Sequence, residues 1–215
     1  MLEKALYGLK QAPRAWYSWS NPDQLSKFKQ SMQSEFEMID LGEMTYFLGM
    51  QIFQSKSGIF VYQEKYANEI LIKFGMENCK PADTPLVSNL KLSKNDGKKR
   101  VDESMFRGLV GCLLYLTATR PDLMFVASYL SRFMSCPSES HYRAAKRVLR
   151  YVKGTSNLGI WFKRAEKLVL QGYTDSDWGG SLDDMKSTSG YVFYINEGAI
   201  SWFSKKQDTV AQSTA

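Results

Sequence analysis

From Ser104 to Gly154 the apolar residues of this chain recur at helical spacing, and from Gly159 onward they alternate as strand residues do. That change of period constrains the fold more than any other feature. A block of helices followed by a series of strands specifies an α+β chain in which the two kinds of element segregate. The spacing predicts helices over Ser104–Thr117, Pro121–Met134 and, from a Ser138 cap, to Gly154. Strands follow at Gly159–Phe162, Leu168–Asp175, Gly190–Asn196 and Ala199–Ser204, the last two joined across Glu197-Gly198. The charged turn Lys163–Lys167 divides the blocks, so two domains are expected, 1–162 and 168–215.

Upstream, Asn21-Pro22 reads as an N-cap and first turn, with Leu25, Phe28, Met32 and Phe36 on one helical face ahead of Gly42. Thr45–Gln54 and Ile59–Gln63 read as strands around a Lys56-Ser57-Gly58 turn. Tyr66, Ile70, Leu71 and Phe74 mark a helix stopping at Gly75. From Asn78 to Glu103 periodicity disappears. Pro81, Pro85 and Asn95-Asp96-Gly97 describe a long polar connector there.

Several classes are excluded. No apolar run approaches bilayer length, and the first residues break too soon into charge and glycine for a secretory signal. Cys79, Cys112 and Cys136 are odd in number and far apart, and His141 is the only histidine. They make neither a disulfide framework nor a zinc cluster, so an intracellular setting, cytoplasmic or nuclear, is expected. The 28 basic residues exceed the 22 acidic ones, giving a formal charge of +6 that suits a polyanionic partner without requiring one.

Two constellations carry candidate chemistry. On the helix after His141, Ala145, Val148, Leu149 and Val152 share the inward face, while Arg143, Lys146, Arg147 and Arg150 form a basic stripe. The stripe is either a phosphate-tracking surface or a plain solvated face. In Tyr173-Thr174-Asp175-Ser176-Asp177-Trp178, strand geometry would put both aspartates on one side, as a Mg²⁺-binding pair. The competing reading ends the strand at Asp177, which then forms a turn with Gly179-Gly180.

The run Leu6-Tyr7-Gly8-Leu9-Lys10-Gln11-Ala12-Pro13-Arg14-Ala15-Trp16-Tyr17 resembles the signature of reverse transcriptases from Ty1/copia-type retrotransposons. Phe36-Glu37-Met38, Asp40-Leu41-Gly42, Tyr46-Phe47-Leu48-Gly49, Thr119-Arg120-Pro121-Asp122 and Ala144-Ala145-Lys146-Arg147 are similar to later blocks of that polymerase. Tyr173 to Trp178, Lys186 to Tyr191 and Ser201-Trp202 resemble the opening of the family's ribonuclease H. The resemblance runs in order along essentially the whole chain.

It implies a palm and thumb remnant followed by an incomplete ribonuclease H-like antiparallel meander. It also implies an RNA/DNA hybrid or duplex as partner and Mg²⁺ as cofactor. Gln11, Lys10 and Arg14 match the region that meets the incoming nucleotide, and Asp175 matches the first metal-binding carboxylate of ribonuclease H. In the family a few tens of residues, carrying the Tyr-x-Asp-Asp metal hairpin, separate the signature from the next helix. Here Tyr17-Ser18-Trp19-Ser20 runs directly into Asn21-Pro22. The polymerase's first metal aspartate would lie before Met1, and the second ribonuclease H carboxylate on a helix after Ala215. The expectation is a truncated fragment without either activity. The alternatives are a non-catalytic nucleic-acid-binding remnant and a co-opted protein-interaction or secreted effector role. The meander needs a partner layer, with either Tyr191, Phe193 and Ile195 or Val192 and Tyr194 inward. Without that layer it would be loosely ordered.

Overall fold

Residues 22–37 and 43–212 are described by a computed structural model. They fall into two compact units, divided between Met44 and Thr45. The described part of the first unit holds helix α1, Pro22–Glu35, opened by proline in its first turn as expected. The remaining elements belong to the second unit.

Four strands form its first sheet, in the order β1–β2–β3–β4: Tyr46–Phe47, Met50–Ser55, Gly58–Tyr62 and Gly159–Lys163. All neighbours are antiparallel. The stretch expected as one strand from Thr45 to Gln54 is instead a hairpin. Leu48 and Gly49 both have positive φ, 48° and 77°, which folds Phe47 back onto Met50. A Cβ at Gly49 would collide with the Tyr115 hydroxyl, which donates a 2.6 Å hydrogen bond to the Leu48 carbonyl. Only glycine fits beneath that ring.

Helices α2 (Glu64–Lys73), α3 (Glu103–Leu116), α4 (Met124–Ser131) and α5 (Glu139–Gly154) build the core. Ile70 and Leu71 of α2 meet Phe106, Leu109 and Leu113 of α3 in one buried cluster. From α5 come Ala145, Val148, Leu149 and Val152, the inward face predicted by spacing. Cys112, by contrast, is only half-buried at the edge of this cluster. Pro121–Leu123 is a 3-10 turn that leads into α4 rather than the first turn of that helix. Asp102 caps α3 by accepting from the Met105 amide at 2.6 Å. No helix among the described residues is long and apolar enough to cross a membrane.

The second sheet is a meander of β5 (Leu170–Ser176), β6 (Thr188–Ile195) and β7 (Gly198–Lys206), all antiparallel. Its register settles which face turns inward. Tyr173, Val192 and Trp202 align on one face, and Thr174, Tyr191 and Phe203 on the other. Trp202 Nε1 donates to the Thr117 carbonyl at 2.9 Å, so the first of these faces meets the helical block. The layer is therefore present. Tyr191, Phe193 and Phe203 instead form an exposed aromatic row. The Lys163–Lys167 turn lies inside the second unit, and the meander shares that unit with the helices.

Candidate functional site

Where the inner face of the meander stands off from the helical block it leaves a cleft of about 920 Å³. One wall comes from the 3-10 turn and α4, through Arg120, Asp122 and Phe125. β4 supplies Trp161, and the sheet supplies Tyr173, Asp175 and Trp202. The wall at Arg120 is rigid for a physical reason. That side chain is almost wholly buried and forks onto Asp122, with contacts of 2.9 and 2.7 Å. It also donates to the carbonyl and hydroxyl oxygens of Thr155, both at 2.8 Å, while the Tyr151 hydroxyl donates to Asp122 at 2.9 Å. One guanidinium thus ties the entry to α4 to the end of α5. Thr119-Arg120-Pro121-Asp122 was visible in the sequence as a similarity block, but its role as a clamp was not. The only local signal was a basic residue two positions before an acidic one.

Asp175 lies near the end of β5 and lines the cleft. Its Oδ1 accepts from the neighbouring Ser176 amide at 2.8 Å. Asp177 does not join it as a ligand pair, because the strand ends at Ser176 and the alternation ends with it. The Asp177 Oδ1 instead accepts from the amides of Gly180 and Thr188, both at 3.0 Å, which makes it the keystone of the turn. A Cβ on Gly180 would press into that carboxylate. Asp183 accepts from the Ser93 hydroxyl at 2.6 Å and from the Lys94 amide at 3.1 Å. Asp184 pairs with Lys206 at 2.5 Å, which holds its carboxyl down at about 2. Among the described residues no three acidic, histidine or cysteine groups converge as metal ligands. The donors around Asp175 therefore do not fit a two-metal Mg²⁺ centre, which needs several carboxylates to fix both ions.

The basic stripe divides. Arg143 and Lys146 are exposed, and the Lys146 ammonium lies 4.7 Å from the Tyr142 ring centre. Arg147 and Arg150 turn to the connector: Arg147 donates to the Thr84 hydroxyl at 2.9 Å, and Arg150 to the Lys80 carbonyl at 2.7 Å. Half of the stripe thus fastens the connector to α5. Gln11, Lys10 and Arg14 lie outside the described residues.

His141 sits near the start of α5, as expected, but fully buried. Its Nδ1 accepts the Ser138 amide proton at 2.9 Å, the return half of a capping box with histidine in place of the usual Glu or Gln. Its ring stacks on Phe133, centres 4.0 Å apart. The Ser138 hydroxyl lies 2.5 Å from Asp96 Oδ2, and this contact holds the Asp96 carboxyl at about 2. Burial pushes the His141 pKa below its ordinary value, against the opposing charge of Asp96. The cluster pins the connector to the helix start.

Comparison with known proteins identifies the lineage. Residues 18–88 match the family described as reverse transcriptase (RNA-dependent DNA polymerase). The chain is 36% identical over 255 residues to the retrovirus-related Pol polyprotein from transposon RE1 of Arabidopsis thaliana, a match covering 99% of this chain and 17% of that one. It is 43% identical to an uncharacterized mitochondrial protein of the same plant, over 85% of this chain and 76% of the relative. A secreted RxLR effector protein of Plasmopara viticola is 49% identical over 106 residues, 49% of this chain and 75% of the effector. No solved structure matches the chain. It spans less than a fifth of the RE1 polyprotein. By these matches the chain belongs to the reverse transcriptase family carried by the Pol polyproteins of copia-type retrotransposons.

Proposed function

We propose that this chain is a nucleic-acid-handling piece of a retrotransposon polymerase that catalyses neither DNA synthesis nor RNA cleavage by itself. In this reading residues 1–162 derive from the palm and thumb of a reverse transcriptase, and residues 168–215 from the front of a ribonuclease H domain. The observation that carries it is that among the described residues no three carboxylates converge at Asp175, and Asp177, Asp183 and Asp184 each hold other groups. The length of the RE1 match adds support. Its 255 aligned positions against 215 residues leave at least 40 with no counterpart here. That is the size of the segment, Tyr-x-Asp-Asp hairpin included, that the resemblance puts between Tyr17 and Asn21. Binding would rest on exposed Arg143 and Lys146, with Mg²⁺ belonging to the parent enzyme's chemistry.

The test is direct. The purified chain is expected to bind an RNA/DNA hybrid with affinity that falls steeply with salt, and to show no Mg²⁺-dependent primer extension or hybrid cleavage. Extension or cleavage that persists through repurification would refute the inactive assignment. A second reading, an effector role, is favoured by the match that covers 75% of a secreted effector. It predicts protein capture that is insensitive to salt and no hybrid binding.

A further inference from the structure

The cleft beneath the meander has chemistry opposite to that of the protein around it. The chain carries a net +6, yet four carboxylates line the cleft, Asp122, Asp175, Asp177 and Glu197, against one cation, Arg120. Asp122 is neutralised by Arg120, and Glu197 lies 3.5 Å from Lys163. Asp177 spends its Oδ1 on two amides and feels the charge of Arg132. Asp175 is different. It is exposed, and among the described residues it forms no ion pair. Two positions earlier on the same strand face stands Tyr173, 61% exposed, with Tyr194 edge-on to it at 6.2 Å. Across the cleft Phe125 is 46% exposed, and Trp161 is half-buried.

A carboxylate without an ion pair, next to an open aromatic face, selects a cation that is both planar and a fork. Phosphate is repelled there. A bare divalent ion finds one carboxylate where it needs several, and leaves the rings unused. A guanidinium satisfies both groups at once, stacking on the tyrosine while its paired N–H groups meet the carboxylate oxygens. The cleft volume of about 920 Å³ admits more than one side chain, so the fitting ligand is a peptide segment rather than free arginine. We propose that the cleft is a docking site for an arginine-containing peptide segment, with Asp175 and Tyr173 receiving the guanidinium. This site is independent of nucleic-acid binding on α5.

The full chain would be titrated calorimetrically with acetyl-Gly-Gly-Arg-Gly-Gly-amide and with peptides carrying citrulline or lysine in place of arginine. Citrulline keeps the shape and removes the charge. The arginine peptide should bind at least about five-fold more tightly than either, the scale expected of one charge-assisted fork and one stacked ring. Asp175→Asn should abolish the preference over citrulline, and Tyr173→Ala should weaken arginine binding by about five-fold. Both residues are exposed, and circular dichroism would verify that the fold is retained. Equal binding of citrulline, unchanged binding by Asp175→Asn, absence of saturable binding, or displacement of the peptide by a short oligonucleotide would each overturn the proposal.

Discussion

Trp202 on the last strand donates its indole proton to the carbonyl of Thr117, the residue that ends α3, at 2.9 Å. A tryptophan there fastens two parts of the fold that lie 85 residues apart. Trp202→Phe keeps the ring in place and removes the donor. It should lower stability by about 1 kcal/mol, the net worth of a typical hydrogen bond. Urea denaturation of the two proteins would measure the difference, and an unchanged midpoint would show that the contact is ornamental.

Arg120 should matter more. Its side chain is 3% exposed, and it supplies four of the hydrogen bonds around Asp122 and Thr155. Arg120→Ala is expected to cost roughly 3 kcal/mol, because Asp122 and the Thr155 oxygens lose their partner together. Arg120→Lys should recover only a part, since an ammonium cannot fork onto a carboxylate. Full recovery by lysine would mean that charge alone holds the clamp.

Two pH windows follow from the connector clasp. Burial lowers the His141 pKa below 6.5, so the folded state excludes a proton that the unfolded chain binds. The stability this provides is complete above pH 6.5 and declines as pH falls below it. Asp96, held at about 2 by Ser138, keeps its contribution above its ordinary 3.8 and loses it between there and pH 2. His141→Gln retains a capping-box acceptor without a titrating group. Stability measured between pH 7 and 5 should be flatter in that variant, and an identical slope would remove His141 as its source.

Element types were legible because spacing alone carries them: Ala145, Val148, Leu149 and Val152 face inward as their period requires. What failed was local. Thr45 to Gln54 has strand composition throughout, and its Leu48-Gly49 turn lacks the Asn or Asp that usually announces a hairpin. At Asp177 the competing reading is the right one: the strand ends at Ser176, and the Gly179-Gly180 pair marks the turn that the Asp177 carboxylate closes. The division of the basic stripe depends on where the connector runs, a long-range fact with no periodic trace. Likewise, alternation showed that the meander had two faces but left undecided which one Trp202 would anchor.

That division of the stripe makes a sharper binding prediction. Changing Arg143 and Lys146 to Gln should lower the salt slope of hybrid binding by about 0.9 for each phosphate that is no longer neutralised. Arg150→Gln should instead lower stability, because its guanidinium holds the Lys80 and Pro81 carbonyls. A slope that responds only to Arg150 would reverse these roles.

The meander itself should not stand alone. Several attachments join it to the rest of its unit, among them Trp202 to Thr117, Arg132 to Thr188 at 2.9 Å, Ser93 to Asp183 and the Lys163–Glu197 ion pair. Its inner side chains, Val192, Tyr194 and Trp202, are half-buried with those attachments in place. Its outer row, Tyr191, Phe193 and Phe203, is already exposed, so release from the helices would leave both faces wet. A three-stranded sheet with no covered face is marginal in water. Residues 167–215 expressed alone should therefore lose nearly all amide protection in β5 to β7. In the full chain the same amides should exchange slowly, by openings that approach global unfolding. Arg132→Ala in the full chain provides the intermediate case. It removes one attachment and should raise exchange near Thr188 first, because β6 begins there. Protection in the isolated segment equal to that in the full chain would show that strand pairing alone sustains the sheet, and that the helical block merely lies beside it.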